Sequence, residues 1–197
     1  MPYSKLIEVV KEALKDRGEC HGFNHAIDVM KWSSLIAEGL EVDHKLMSAI
    51  ALIHDVFDHK FIAKASEQWR CNTVVALDEC LKSMALDEGD FKIIHSEIDL
   101  ISYSKGGVPE TLEGRIVQDA DRICGLGAIG VMRCIAYNVT HGMSFDDAVE
   151  HMRDKLIKLH GKLNTERAKT LSLSSHNFIL DFINRHEFER KLLQVFS

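Results

Sequence analysis

Leu46-Met47-Ser48-Ala49-Ile50-Ala51-Leu52-Ile53 runs straight into His54-Asp55-Val56-Phe57-Asp58-His59-Lys60. The first part is almost wholly apolar. It is far shorter than the roughly 20 residues a membrane-spanning helix needs, so it reads as a helix buried in a protein core. Asp43 stands where an N-cap would start that helix, because a short side-chain oxygen there can accept from the first free backbone N–H groups. The second part sets ionisable groups at the end of a core segment. An isolated buried charge is too costly to keep, so the imidazole and carboxylate of His54-Asp55 must be hydrogen-bonded, ion-paired or bound to a metal. Capping of the next turn is the plain alternative, and these residues alone do not choose.

The chain on either side carries helical periodicity. Residues 3–17 place Leu6, Val9, Val10, Ala13 and Leu14 on one side, and Arg17-Gly18 is the expected stop. Cys20-His21-Gly22-Phe23-Asn24-His25 is a turn into a second helix that runs to about Gly39. Asn24 is its expected N-cap, His21 a turn-former, and His25 lies in its first turn. Further helices are expected over 43–55, over 64–84, over 88–103 behind the cap Asp87, from Pro109 through Ile123, over 144–159 behind the cap Ser144, and from Asn164 or Thr165 onward. No alternating strand pair is evident. The expected fold is all-α: one domain over 1–197, with its core at about 20–125 and helices at about 144–195 completing the bundle.

Composition narrows the function. A net charge of -6 without a Lys/Arg block argues against nonspecific nucleic-acid binding. Met1-Pro2-Tyr3-Ser4-Lys5 has no signal-peptide core and no apolar run reaches membrane length, so the expected location is cytoplasmic with no membrane partner. The five cysteines include no Cys-x-x-Cys pair, so they are expected to be reduced core residues rather than a disulfide set or a zinc site. His95, beside an apolar stripe, is expected to be structural. His141, His151, His160, His176 and His186 share no ligand spacing and are expected at the surface or in packing.

A second anomaly is Val117-Gln118-Asp119-Ala120-Asp121-Arg122, which sets two aspartates in an apolar helix. Two apart, they cannot share a helix face. One of them at most reaches a common centre; the other is left to Arg122 or to solvent. The loop Ser102-Tyr103-Ser104-Lys105-Gly106-Gly107 combines small hydroxyls, a lysine and permissive glycines, a weak pattern for an anion cradle. Gly125-x-Gly127 follows a helix rather than a strand, which makes a dinucleotide fingerprint a poor fit. His25, His54, Asp55 and one aspartate of that later helix would offer two imidazoles and two carboxylates. That set suits Mn²⁺, Mg²⁺, Co²⁺ or Fe²⁺, with Zn²⁺ also admissible.

The order His…His-Asp…Asp resembles the HD-domain phosphohydrolase superfamily. Gly22-Phe23-Asn24-His25, Leu52-Ile53-His54-Asp55 with Asp58-His59-Lys60-Phe61, Ile101 to Gly106, Leu112 to Arg122 and Leu163-Asn164-Thr165-Glu166 are similar to its compact bacterial YpgQ/YedJ-like subgroup. The resemblance covers nearly the whole chain. It implies an all-α fold with one divalent metal ion held by His25, His54, Asp55 and Asp119, favouring Asp119 over Asp121. It also implies hydrolysis of a nucleotide or related phosphate ester or anhydride by a metal-activated water. Asp58 is the expected helper of that water, three places after Asp55 on what would be a continuing helix. Lys60, Lys105 and Arg122, in falling order, are candidates to hold phosphate oxygens. Two places depart from the subgroup: Gly22 stands where an acidic residue is common, and Asp28 where a basic one is. A di-iron HD oxygenase, for which His59 and His95 are the spare histidines, and a non-catalytic nucleotide sensor are the alternatives. Exposed helix faces leave room for a homodimer.

Overall fold

The computed structural model describes residues 3–103 and 106–194, with the side chains of Glu19, His59 and Lys60 outside the description. Among the described residues every regular element is helical, as the periodicity predicts. Internal contacts divide the chain into two units, Met1–Ala120 and Asp121–Ser197.

The first unit contains α1 (Ser4–Ala13), α2 (Gly18–His21), α3 (Phe23–Ile36), α4 (His44–Ile53), α5 (His59–Ile62), α6 (Glu67–Ser83) and α7 (Glu88–Ile101), and it ends within α8 (Leu112–Cys124). Its hub is α4. Every residue from Leu46 to Ile53 is buried, and α3, α7 and α1 all pack on it. Full burial of a Leu, Ile or Met side chain contributes roughly 1.5–3 kcal/mol, which explains why this segment tolerates no polar face. Asp43 caps α4 as expected, accepting from Lys45 N at 2.8 Å and Leu46 N at 3.0 Å. Such a cap contributes about 1 kcal/mol. Asp87 caps α7 in a reciprocal box with Asp90.

The entry of α8 is tied to α7 by polar contacts that periodicity does not reveal. Glu97, 1% exposed, accepts from Thr111 N at 2.8 Å. Gln118 Nε2 donates to the carbonyls of Leu100 at 2.7 Å and Gly107 at 2.9 Å. Three local expectations are corrected. Pro109 does not begin α8; Thr111 Oγ1 caps it by accepting from Gly114 N at 3.0 Å. Asn24 does not cap α3, because Gly22 takes the extended N-cap conformation and Asn24 lies inside the helix. The cysteines are not uniformly core: Cys80, Cys124 and Cys134 are buried, whereas Cys71 is exposed.

The second unit holds α9 (Gly127–Thr140), α10 (Phe145–His151), a π-helical turn Met152–Leu156, α11 (Ile157–Leu159), a short 3₁₀ turn His160–Lys162 and α12 (Glu166–Gln194). Here α9 packs against α10 and α12. Ser144 caps α10, its Oγ accepting from Asp147 N at 3.1 Å while Asp147 accepts from Ser144 N at 2.8 Å. Among the described residues no single helix is long and apolar enough to cross a membrane.

Candidate metal centre

The α4 helix stops at Ile53 because its hydrogen bonding tightens. His54 N still reaches back four residues, to Ile50 O at 3.0 Å. Val56 N then takes Ile53 O at 2.8 Å and Asp58 N takes Asp55 O at 3.2 Å, both three residues back. The helix therefore ends before Asp58, which corrects the expectation that Asp55 and Asp58 share a continuing helix. A pair of tight turns carries His54-Asp55 out of the core. Asp58 is kept beside Asp55 by the turn, and its own carbonyl accepts from Phe61 N and Ile62 N, both at 3.0 Å, to start α5.

Three imidazoles surround the Asp55 carboxylate. Its Oδ2 lies 3.1 Å from His21 Nδ1, 3.7 Å from His25 Nε2 and 3.6 Å from His54 Nε2. The His25 and His54 rings meet edge to face at 5.3 Å. Both are nearly inaccessible, at 4% and 8% exposure, whereas the His21 side chain is 45% exposed. Burial alone would raise the Asp55 pKa. His54, the hydrogen bond from His21 and the charge of His25 outweigh it and hold the carboxyl well below the usual carboxylate range. Asp55 is therefore an anion in the folded protein.

His54 has a defined tautomer. Its Nδ1 lies 2.7 Å from Ala51 O, and a carbonyl only accepts, so Nδ1 carries the hydrogen. With Nδ1 holding its hydrogen, Nε2 is the nitrogen whose lone pair His54 can offer a metal ion. It is buried without a hydrogen-bond partner and faces an anionic oxygen. Two acceptors opposed in this way call for a cation between them. A backbone carbonyl fixing the other ring nitrogen is also the usual support of a metal-binding histidine. Donors bound at about 2.0–2.2 Å to one ion lie roughly 3–4 Å from each other, and the separations around Asp55 fall in that range. His21, His25 and Asp55 each offer a ligand atom, all within 4.8 Å of one another. The residues thus fit a divalent ion.

The other residues singled out in the sequence fall in several places. Asp119, 0% exposed, lies in the first unit, and Asp121, half-buried, begins the second. Arg122 is 6% exposed and donates to Lys162 O within the second unit. Lys105 and the side chains of Lys60 and His59 lie outside the described residues. His95 is exposed on α7.

Two residues at this centre were not singled out in the sequence. His21 reads from sequence as a turn-former, and its spacing of four from His25 is the available signal of a role at this centre. Arg17 reads from sequence as part of a helix stop. Its guanidinium donates to Asp55 O and, at 2.5 Å, to Val56 O, and lies 4.3 Å from the centre of the Phe61 ring.

The chain is similar to known proteins over most of its length. The model of the HD domain family matches residues 22–126. The uncharacterized protein YpgQ of Bacillus subtilis is 28% identical over 185 residues, covering 90% of this chain and 88% of its own length. The crystal structure of YpgQ in complex with ADP superposes with a TM-score of 0.78 at 24% identity, over 95% of this chain and 94% of that one. An HD-superfamily hydrolase from Bacillus thuringiensis superposes with a TM-score of 0.71 at 27% identity, over 95% of each chain.

Proposed function

The chain belongs to the HD domain family, and from that premise we propose that it is a metal-dependent phosphohydrolase acting on a nucleotide or a related phosphate ester or anhydride. The observation that carries this reading is the buried, unpartnered Nε2 of His54 facing the Asp55 anion. The ligands are His25, His54 and Asp55, with one carboxylate from α8. Asp119 is the family-like choice. On a helix Asp119 and Asp121 point about 160° apart, so one variant of the pair Asp119→Ala and Asp121→Ala loses bound metal and the other keeps it.

A bound divalent ion supplies an activated water near neutral pH and a counter-charge for a phosphate oxygen. The chain's own residues do the rest. His25 and His54 each turn Nε2 toward the Asp55 carboxylate, and those two nitrogens would be the imidazole donors to the ion. Asp58, fixed beside Asp55 by the turn, orients the attacking water and accepts its proton at the carboxylate. Lys60 leads the candidates for a phosphate oxygen because it follows Asp55 closely in the chain. Lys105 stands second, and Arg122, already engaged on a backbone carbonyl, stands last. The ADP held by YpgQ supports a nucleotide as the substrate class.

The test is separate measurement of phosphate and pyrophosphate release from ribo- and deoxyribonucleoside mono- and triphosphates with Mn²⁺, Co²⁺, Mg²⁺ or Zn²⁺. Turnover that stops on chelation is expected. Pyrophosphate from triphosphates makes the protein a pyrophosphohydrolase, and phosphate from monophosphates makes it a nucleotidase. Silence across the panel, or turnover that survives chelation, overturns the proposal.

A further inference from the structure

The His54-Asp55 dipeptide sits on a turn, not on a regular helix. After His54 the four-residue hydrogen bonds that stiffen α4 give way to two three-residue bonds, from Val56 N and Asp58 N. Something else must hold the backbone if the ligands are to keep their spacing. Arg17 meets that need from the far side of the turn. Its two terminal nitrogens reach two successive carbonyls, Asp55 O and Val56 O, and its planar face lies on Phe61 at 4.3 Å. Phe61 belongs to α5, just past Asp58, and its ring also meets His21 edge-on at 6.3 Å. One side chain thus grips the turn before Asp58 and the helix after it.

We propose that Arg17 is the positioning residue of the metal centre, a clamp that holds the Asp55–Phe61 turn in the geometry the ligands require. This rests on the metal-site reading above. A guanidinium suits the task, because it is planar, offers several donors in a fixed fork and stacks on aromatic rings; an ammonium has no such fork. Burial disfavours the charge on Arg17, while Asp55 and Asp58 offset part of that cost. The guanidinium's hydrogen bonds go to backbone carbonyls, so it acts on Asp55 through the main chain and leaves the carboxylate to its imidazoles. Residues that orient metal ligands from behind commonly change metal affinity about 10–100-fold when replaced.

Two variants of the full-length protein, Arg17→Lys and Arg17→Met, test this at a temperature below their unfolding transitions. Mn²⁺ affinity is measured by titration without substrate, and amide hydrogen exchange at residues 56–58 is measured in metal-free protein. Both variants are expected to bind Mn²⁺ about 10–100-fold more weakly and to exchange faster at those amides, with Lys retaining more than Met. Activity at saturating Mn²⁺ should then fall in kcat more than it rises in KM. Unchanged Mn²⁺ affinity together with unchanged exchange overturns the clamp. So does a rise in KM alone, which would make Arg17 a phosphate contact. Wild-type protein that binds no Mn²⁺ sinks the function reading, whereas the exchange rates in metal-free protein still report on the clamp itself.

Discussion

Asp55→Ala is expected to cut metal-dependent turnover at least about a thousandfold, while far-UV circular dichroism stays close to wild type. Such a factor corresponds to roughly 4 kcal/mol of transition-state stabilisation, within what a Lewis-acid metal contributes. The Asp55 carboxylate lies among His21, His25 and His54, 3.1–3.7 Å from a nitrogen of each. The substitution takes away the carboxylate that the three imidazoles share, and with it one of the two anionic ligands proposed for the dication. The fold is insulated from the change. The apolar face of α4 ends at Ile53, and Arg17 holds the main-chain carbonyl of residue 55, which any side chain retains. Metal content, activity and ellipticity measured on one preparation separate these effects. A variant that keeps a full equivalent of metal, or wild-type activity that persists in chelator, would sink the assignment.

Much of this was legible in the residues, for identifiable reasons. The α4 core was readable because an apolar run of its length has few other fates, and Asp43 and Asp87 because N-caps are local and chemically specific. His54-Asp55 drew notice because polar groups at the end of a core segment need partners. The end of α4 was not legible. Val56, Phe57 and Asp58 contain no glycine or proline, and the switch to three-residue hydrogen bonding leaves no mark in residue type.

Arg17 was illegible for a deeper reason. Its acceptors are backbone carbonyls at Asp55 and Val56, far along the chain, and every residue carries a carbonyl. A side chain that recognises main chain leaves no complementary residue to find. Glu97 and Gln118 were missed in the same way, since each bonds to backbone around the α7–α8 connection. Periodicity on α7 points Phe91, Ile94, Ile98 and Ile101 inward; Ile94 and Ile101 are buried, Phe91 and Ile98 are half-buried, and Glu97 is buried without any signal of its partner in the pattern. His21 is intermediate: its spacing from His25 was visible, but a histidine beside glycine reads first as a turn.

Gly22 gives the second large effect, and here steric fit and family resemblance predict opposite results. The subgroup commonly places an acidic residue at this position, so Gly22→Asp would restore its pattern and should be neutral or better. The local backbone says otherwise. A Cβ at Gly22 would overlap the carbonyl oxygen of Gly18, because the α2 turn closes directly onto the start of α3. Any side chain must push α2 away, and α2 carries His21, whose Nδ1 lies 3.1 Å from Asp55 Oδ2. Forced overlap of this kind costs about 1–3 kcal/mol, several degrees in melting temperature for a chain of this size. Both Gly22→Ala and Gly22→Asp are therefore expected to melt earlier and to bind Mn²⁺ at least about tenfold more weakly, as when a supporting residue of a metal site is lost. Thermal unfolding and Mn²⁺ titration of the two variants decide between the causes. Equal damage from Ala and Asp marks the closed α2 turn as the reason this chain keeps glycine. A silent Gly22→Ala beside an altered Gly22→Asp would instead make charge near the metal the governing factor, and would free His21 from any dependence on the turn.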